Sequence, residues 1–144
     1  MQNILSSEYR PIREGNFRFQ ELLQHLNSYS APKLVSIGKD ATRLISRIDY
    51  DNETDQLVGF VLPCDDNGLP VIDTYLAVSL DSIKESLSKG EAAKYAFVYT
   101  AQPLCQNVPA FCLACLGTNN KFTTEHDCAK TMEVYFSGML EDWN

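Results

Sequence analysis

Short apolar segments of strand length, each bounded by turn-forming residues, are the feature that most restricts how this 144-residue chain can fold. These segments are β-branched, aromatic or alternating in the two-residue period of a half-buried strand. They lie at 33–37, 42–50, 57–62, 95–101 and 111–117. The polar sequence DNETDQ between the second and third segments has the composition of a turn, so these two segments are predicted to form a hairpin.

Helical patterns lie before, between and after the predicted strands. Residues 79–89 carry apolar side chains four apart, with Ser79 or Ser82 as the N-cap and Gly90 as the stop. A weaker pattern within residues 1–32 ends before Pro32, and a final helix is expected to begin at Thr123 or Thr124. The sequence thus predicts an N-terminal helix or tether at 1–32 and an α/β (α+β) domain at 33–144, with helices packed on one sheet.

Composition and charge exclude several classes of function. Hydrophobic residues make up 44% of the chain and charged residues 22%, as in a globular protein. The formal net charge of −7 argues against direct binding to nucleic acid, which needs a positive surface. The apolar runs are too short to span a membrane, and no signal peptide precedes the five cysteines. We therefore expect reduced thiols and a nuclear or cytoplasmic location.

Two separated strings of the sequence resemble a known family. They are KLVSIGKDATRLISRIDYDNETDQLVGFVLP, beginning at Lys33, and AQPLCQNVPAFCLACLGTNNKFT, beginning at Ala101. In the same order, they resemble the start of the catalytic domain in transposase-derived proteins related to the P-element and THAP-type transposases. The resemblance covers residues from about Pro32 to Thr124.

The resemblance implies an RNase H-like fold, in which a trio of carboxylates holds two divalent metal ions for phosphodiester cleavage. Asp40, just past the first predicted strand, matches the first carboxylate of the trio. The second would follow the final helix and the third would lie much farther on, whereas this sequence stops at Asn144. We therefore expect an incomplete RNase H-like mixed sheet, without a Mg²⁺ cofactor or catalysis of its own. Asp40 would be a vestigial catalytic residue and a weak metal ligand, or simply a loop or helix-capping carboxylate.

Two other groups of residues suggest metal sites. The acidic stretch 49–55 superficially resembles a calcium loop, but Thr54 and Phe60 stand where that loop needs Gly and Glu, so a solvated hairpin turn is predicted. Cys112-x-x-Cys115 with His126 and Cys128 has four soft ligands for zinc. The odd spacing on a strand is expected to point the first two cysteines to opposite faces, which favours buried structural cysteines.

The resulting functional prediction is a catalytically incompetent fragment of a transposase-derived nuclease domain that acts through protein contacts. A stand-alone protein-interaction module and a small zinc-binding adaptor are the alternatives. Because the family's sheet continues with a strand beyond the final helix, one sheet edge is expected to stay open. An open edge is a template for pairing, so we expect either a protein partner or self-association there.

Overall fold

The fold is a mixed α/β arrangement, seen in a computed structural model that describes residues 12–66 and 69–119. This part of the chain contains a three-stranded antiparallel sheet of order β1-β4-β5 and a separate two-stranded hairpin, β2-β3. Two helices accompany them. In chain order, the elements are α1 (Phe19–Ser28), β1 (Val35–Arg43), β2 (Asp49–Asp51), β3 (Gln56–Val58), α2 (Leu80–Lys89), β4 (Tyr95–Pro103) and β5 (Phe111–Thr118).

The central strand β4 organises the sheet. β1 pairs with it along its whole length, from Val35 opposite Pro103 to Arg43 opposite Tyr95. β5 pairs with its other side. The aromatic and aliphatic composition of β4 suits a strand buried between two neighbours, because such side chains pack well on a pleated surface.

One face of the sheet is covered by α1. Leu22 and Leu26 of this helix have no solvent exposure and join the core formed by Tyr99, Leu113 and neighbouring side chains. Their spacing of four residues places both on one face of the helix, so both side chains pack this ten-residue helix against the sheet. The N-terminal helix therefore shares a core with the sheet.

The predicted boundaries of the first two strands are wrong. A single strand, β1, runs across Gly38 and Asp40, where the sequence suggested a break between 33–37 and 42–50. The reason is non-local: β4 supplies a partner for every residue of β1, which outweighs the weak local preference of these polar and small residues.

The predicted hairpin is confirmed, but its two strands are shorter than predicted. β2 and β3 pair as Asp49–Val58 through Asp51–Gln56, and Gly59 ends the returning strand with a positive φ of 98°. The helix at 79–89 is confirmed: α2 begins after Ser79, whose side chain forms a capping box with Ser82. The predicted final helix, from Thr123 or Thr124 onward, lies outside the described residues.

Replacing Gly59 by alanine is expected to destabilise the fold strongly. A Cβ atom there would overlap the carbonyl oxygen of Arg47, and the positive φ is unfavourable for alanine. We expect Gly59→Ala to lower the free energy of unfolding by more than about 2 kcal/mol. The control is Gly38→Ala, where an added Cβ meets nothing within 4 Å. Urea denaturation of both variants checks this, and similar effects at the two positions would contradict it.

Candidate functional site

Asp40 lies inside β1, on the exposed face of the sheet, and not in a loop past the strand. Its position in the strand corrects the sequence prediction. Opposite it across the sheet lie Val98 of β4 and then Cys115 of β5. The nearest cross-strand neighbours of this carboxylate therefore offer it no oxygen ligand.

The acidic residues of the β2-β3 hairpin are engaged within the turn. The Asp51 carboxylate accepts hydrogen bonds from the Glu53 backbone N–H at 3.0 Å and the Thr54 hydroxyl at 2.6 Å. These bonds hold the pKa of Asp51 below its usual value, with the Thr54 bond contributing most. The Tyr50 hydroxyl donates to Asp55 at 2.5 Å. The oxygens thus close a turn, as an Asx-type turn does, which agrees with the predicted solvated hairpin.

Cys112 and Cys115 lie on the same face of the sheet, which overturns the prediction that they point to opposite faces. Cys112 is opposite Thr100 and Cys115 is opposite Val98, because the register of β5 shifts between Tyr99 and Thr100. The shift is a β-bulge, and its additional residue changes the alternation of faces. Burial raises the pKa of the Cys115 thiol, which opposes formation of the thiolate that a metal needs.

Metal ligands do not come together in the part of the chain that the structure describes. Within residues 12–66 and 69–119, no group of three or more His, Cys, Asp or Glu side chains is placed to hold a metal ion. Asp40 belongs to no such group. His126 and Cys128, the other candidate zinc ligands, lie outside the described residues.

A short segment at 14–18 covers the outer edge of β5. The Gly15 N–H donates to the Cys115 carbonyl at 2.8 Å, and the Arg18 N–H donates to the Leu113 carbonyl at 3.0 Å. At the end of the strand, the Gly117 N–H donates to a Glu14 carboxylate oxygen at 2.9 Å. We call residues 14–18 the β5 strap. It satisfies backbone groups that an edge strand would otherwise present to solvent or to another chain.

Glu14 contributes a half-buried carboxyl group to this strap. Desolvation raises the pKa of its carboxyl group, and hydrogen bonds from the Gly117 and Gly59 backbone oppose the rise. Glu14 thus links the end of β5 to the turn after β3. The sequence does not predict this role, because nothing local distinguishes Glu14 from a surface glutamate except the glycine that follows it.

The opposite edge of the sheet, along β1, presents backbone groups outward. The Leu44 N–H donates to the Lys94 carbonyl, and the Leu104 N–H donates to the Leu34 carbonyl, so even-numbered residues of this segment bond to β4. In an antiparallel pair the direction alternates. The N–H and C=O groups of odd-numbered residues such as Ile37 and Ala41 therefore point away from β4. No strand among the described residues pairs with β1 on that side.

A polar cleft lies between α2 and the segment before it. Its volume is about 360 Å³, and its charged groups are already matched in pairs. The Lys89 ammonium lies 2.6 Å from Glu85, and the Asp73 carboxylate lies 2.7 Å from the Arg13 guanidinium. Because each charged group of the cleft is already paired with an opposite charge, the cleft is a weaker candidate site than the β1 edge.

No family model, no curated protein and no solved structure matches this chain. The resemblance to transposases, and the fold and chemistry that it implies, therefore stay predictions. Within the described residues, neither helix has the length and apolar character needed to cross a bilayer.

Glu14 gives the protein a specific pH dependence of stability. Because its folded-state pKa is raised, its favourable contribution is present below the unfolded value of about 4.3 and is lost as pH rises through the folded pKa. We expect the Glu14→Gln variant to gain stability relative to the wild type, on the order of 1 kcal/mol, as pH rises from about 4 to about 7.

Denaturation curves of the two proteins across this pH range make the measurement, and the exposed Glu53→Gln replacement is the control. The replacement also changes a hydrogen-bond acceptor, but the cost of that change does not vary with pH. It therefore cancels when the difference in stability between the two proteins is followed across the pH range. A difference that does not vary with pH would contradict the assigned burial of the Glu14 charge.

Proposed function

We propose that this chain is a non-catalytic, RNase H-like unit of transposase origin that acts through protein contacts at the open edge of β1. The observation that carries the proposal is this edge, a nine-residue strand with outward-facing backbone groups and no partner strand among the described residues. Such an edge adds a strand from another chain by backbone hydrogen bonding.

The asymmetry of the two sheet edges supports this assignment. The strap covers the β5 edge, where its hydrogen bonds occupy the Leu113 and Cys115 carbonyls and the Gly117 N–H. On the β1 side, exposed apolar side chains flank the strand: Leu34 is 58% exposed and Ile45 is 97% exposed. Apolar anchors at both ends of a strand with outward-facing N–H and C=O groups suit an incoming extended segment.

The position of Asp40 supports the non-catalytic part of the proposal. The transposase resemblance assigns it the first of three metal-binding carboxylates, yet its neighbours across the sheet are Val98 and Cys115. A single carboxylate holds Mg²⁺ weakly, because this ion is usually bound through several oxygen ligands. Within residues 12–66 and 69–119, no group of three or more His, Cys, Asp or Glu side chains is placed to hold the metal ions of two-metal phosphodiester cleavage.

The open edge predicts an alternating pattern of hydrogen exchange along β1. The backbone N–H groups of Ser36 and Thr42 face β4, whereas those of Ile37 and Ala41 face outward. We expect the outward pair to exchange at least about tenfold faster than the inward pair in dilute protein, since an amide that lacks a ladder bond exchanges without opening of the sheet.

Amide exchange followed by NMR gives the measurement, and the inward amides of the same strand are the internal control. Equal protection of both sets in dilute protein would mean that another segment covers the edge, and the proposal would fail. Protection of the outward set that grows with protein concentration would indicate pairing between copies.

Purified protein is expected not to cleave DNA with Mg²⁺ or Mn²⁺. The physical reason is that Asp40 lies on the exposed sheet face and, among the described residues, belongs to no group of side chains placed to hold a metal ion. A plasmid-nicking assay with wild type and Asp40→Ala side by side is the test. Metal-dependent cleavage that disappears in the variant would refute the non-catalytic assignment, whereas cleavage that persists in it would point to a contaminating nuclease.

A further inference from the structure

The helix α2 turns its apolar side chains toward solvent. Leu80, Ile83 and Leu87 follow one another at spacings of three and four residues, which places them along one side of the helix. Leu80 is 66% exposed and Leu87 is 56% exposed. The residue of α2 that is buried is Ser86, whose side chain lies about 100° around the helix axis from that of Leu87. We call Leu80, Ile83 and Leu87 the α2 stripe.

The α2 stripe has the character of a docking surface. A single exposed leucine is ordinary on a protein, because polar side chains cannot cover the whole surface. A row of apolar side chains along one side of an otherwise polar helix is different, since such a helix gains most of its stability by burying that side. Val78, which directly precedes the N-cap residue Ser79, is 76% exposed and adds apolar surface at the start of the helix.

The described part of the chain ends beside this helix. The side-chain amide of Asn119 donates to the Glu91 carboxylate at 2.6 Å and to the Ala92 carbonyl at 3.0 Å. Gly90, the C-cap residue of α2, directly precedes Glu91. These bonds hold Asn119 next to the C-terminal end of α2, so residues 120–144 continue from that point.

The sequence that follows Asn119 predicts an amphipathic helix from Thr123 or Thr124 onward. Its apolar residues recur at spacings of three and four and include Met132, Tyr135, Phe136 and Met139. On helices that rise about 1.5 Å per residue, the stretch from Met132 to Met139 has the same length as the α2 stripe, about 10 Å. The predicted helix thus carries an apolar side that matches the stripe in chemistry and in length.

We propose that residues 124–139 form a helix that docks on the α2 stripe of the same chain. Only residues 120–123 separate the predicted helix from Asn119. A segment on so short a tether meets the stripe at an effective concentration on the order of millimolar. A small apolar surface therefore suffices to hold it, whereas a separate protein needs an interface of about 1,000 Å² or more. This docking goes beyond the proposed function, because it concerns α2 and not the β1 edge.

Nuclear Overhauser effects in the full-length protein test the contact directly. We expect cross-peaks between the methyl groups of Leu80 or Leu87 and the aromatic rings of Tyr135 or Phe136. An equal mixture of isotope-labelled and unlabelled protein separates contacts within one chain from contacts between copies. Cross-peaks that arise only between labelled and unlabelled chains would assign the stripe to a second copy and overturn the proposal.

The Leu87→Gln variant tests whether the stripe holds the segment. Leucine and glutamine have similar helix propensities and Leu87 is exposed, so α2 itself should survive the change. We expect the backbone amides of residues 128–139 to exchange at least about fivefold faster in the variant, because burial of the leucine contributes to docking. The control is Ile45→Gln, which removes an apolar side chain that is 97% exposed and lies outside α2. It should leave these amides unchanged.

The remaining outcomes separate this docking from the proposed function. If the cross-peaks are missing and residues 124–139 exchange freely, the segment does not dock and the proposal is wrong. If these residues are protected but Leu87→Gln does not change their exchange, the segment packs on another surface, which also overturns it. Free exchange of the outward-facing amides of Ile37 and Ala41 keeps the proposed function in either case. Protection of those amides in dilute protein would make the proposed function fail as well.

Discussion

The hydrogen bonding of β4 to neighbours on both sides is the interaction on which the described structure depends. Its residues donate and accept alternately toward β1 and toward β5, and its side chains Phe97, Tyr99 and Ala101 bury into the core on one face. The helix α1 packs on that same face through Leu22 and Leu26. A sheet built around one central strand has two edges. Whether each edge is covered or exposed determines whether it can pair with another chain.

The β5 edge and the core are completed by the same stretch of chain. Residues 14–18 cover β5, and the chain continues through Phe17 and Phe19 into α1. The Phe17 ring lies 5.0 Å from that of Tyr99, so the strap is fixed by packing as well as by hydrogen bonds. Removing the strap would therefore disturb the core, which makes β5 a protected structural edge. No strand among the described residues pairs with the outer side of β1, although Val35, Ile37 and Ala41 of this strand pack against the core.

The sequence identified those elements whose signals are local. The helix α2 has its N-cap, Ser79, and its stop, Gly90, within a few residues of its ends, and β4 and β5 are continuous apolar runs. What it missed depends on pairing between distant residues. β1 crosses Gly38 because β4 supplies its partner, and the bulge opposite Tyr99 and Thr100 sets the face of Cys112. Neither effect can be predicted from the local sequence pattern, because the register of the strands is fixed only when the sheet assembles.

The sequence did not indicate which sheet edge lacks a partner strand among the described residues. An open sheet edge was expected next to the apolar segments 95–101 and 111–117, yet the first is the central strand and the second is covered by the strap. Asp40 was singled out for its carboxylate, whereas the proposed function rests on the backbone groups of its strand. Glu14 was indistinguishable from a surface residue because its burial comes from the strap, the end of β5 and the turn at Gly59 together.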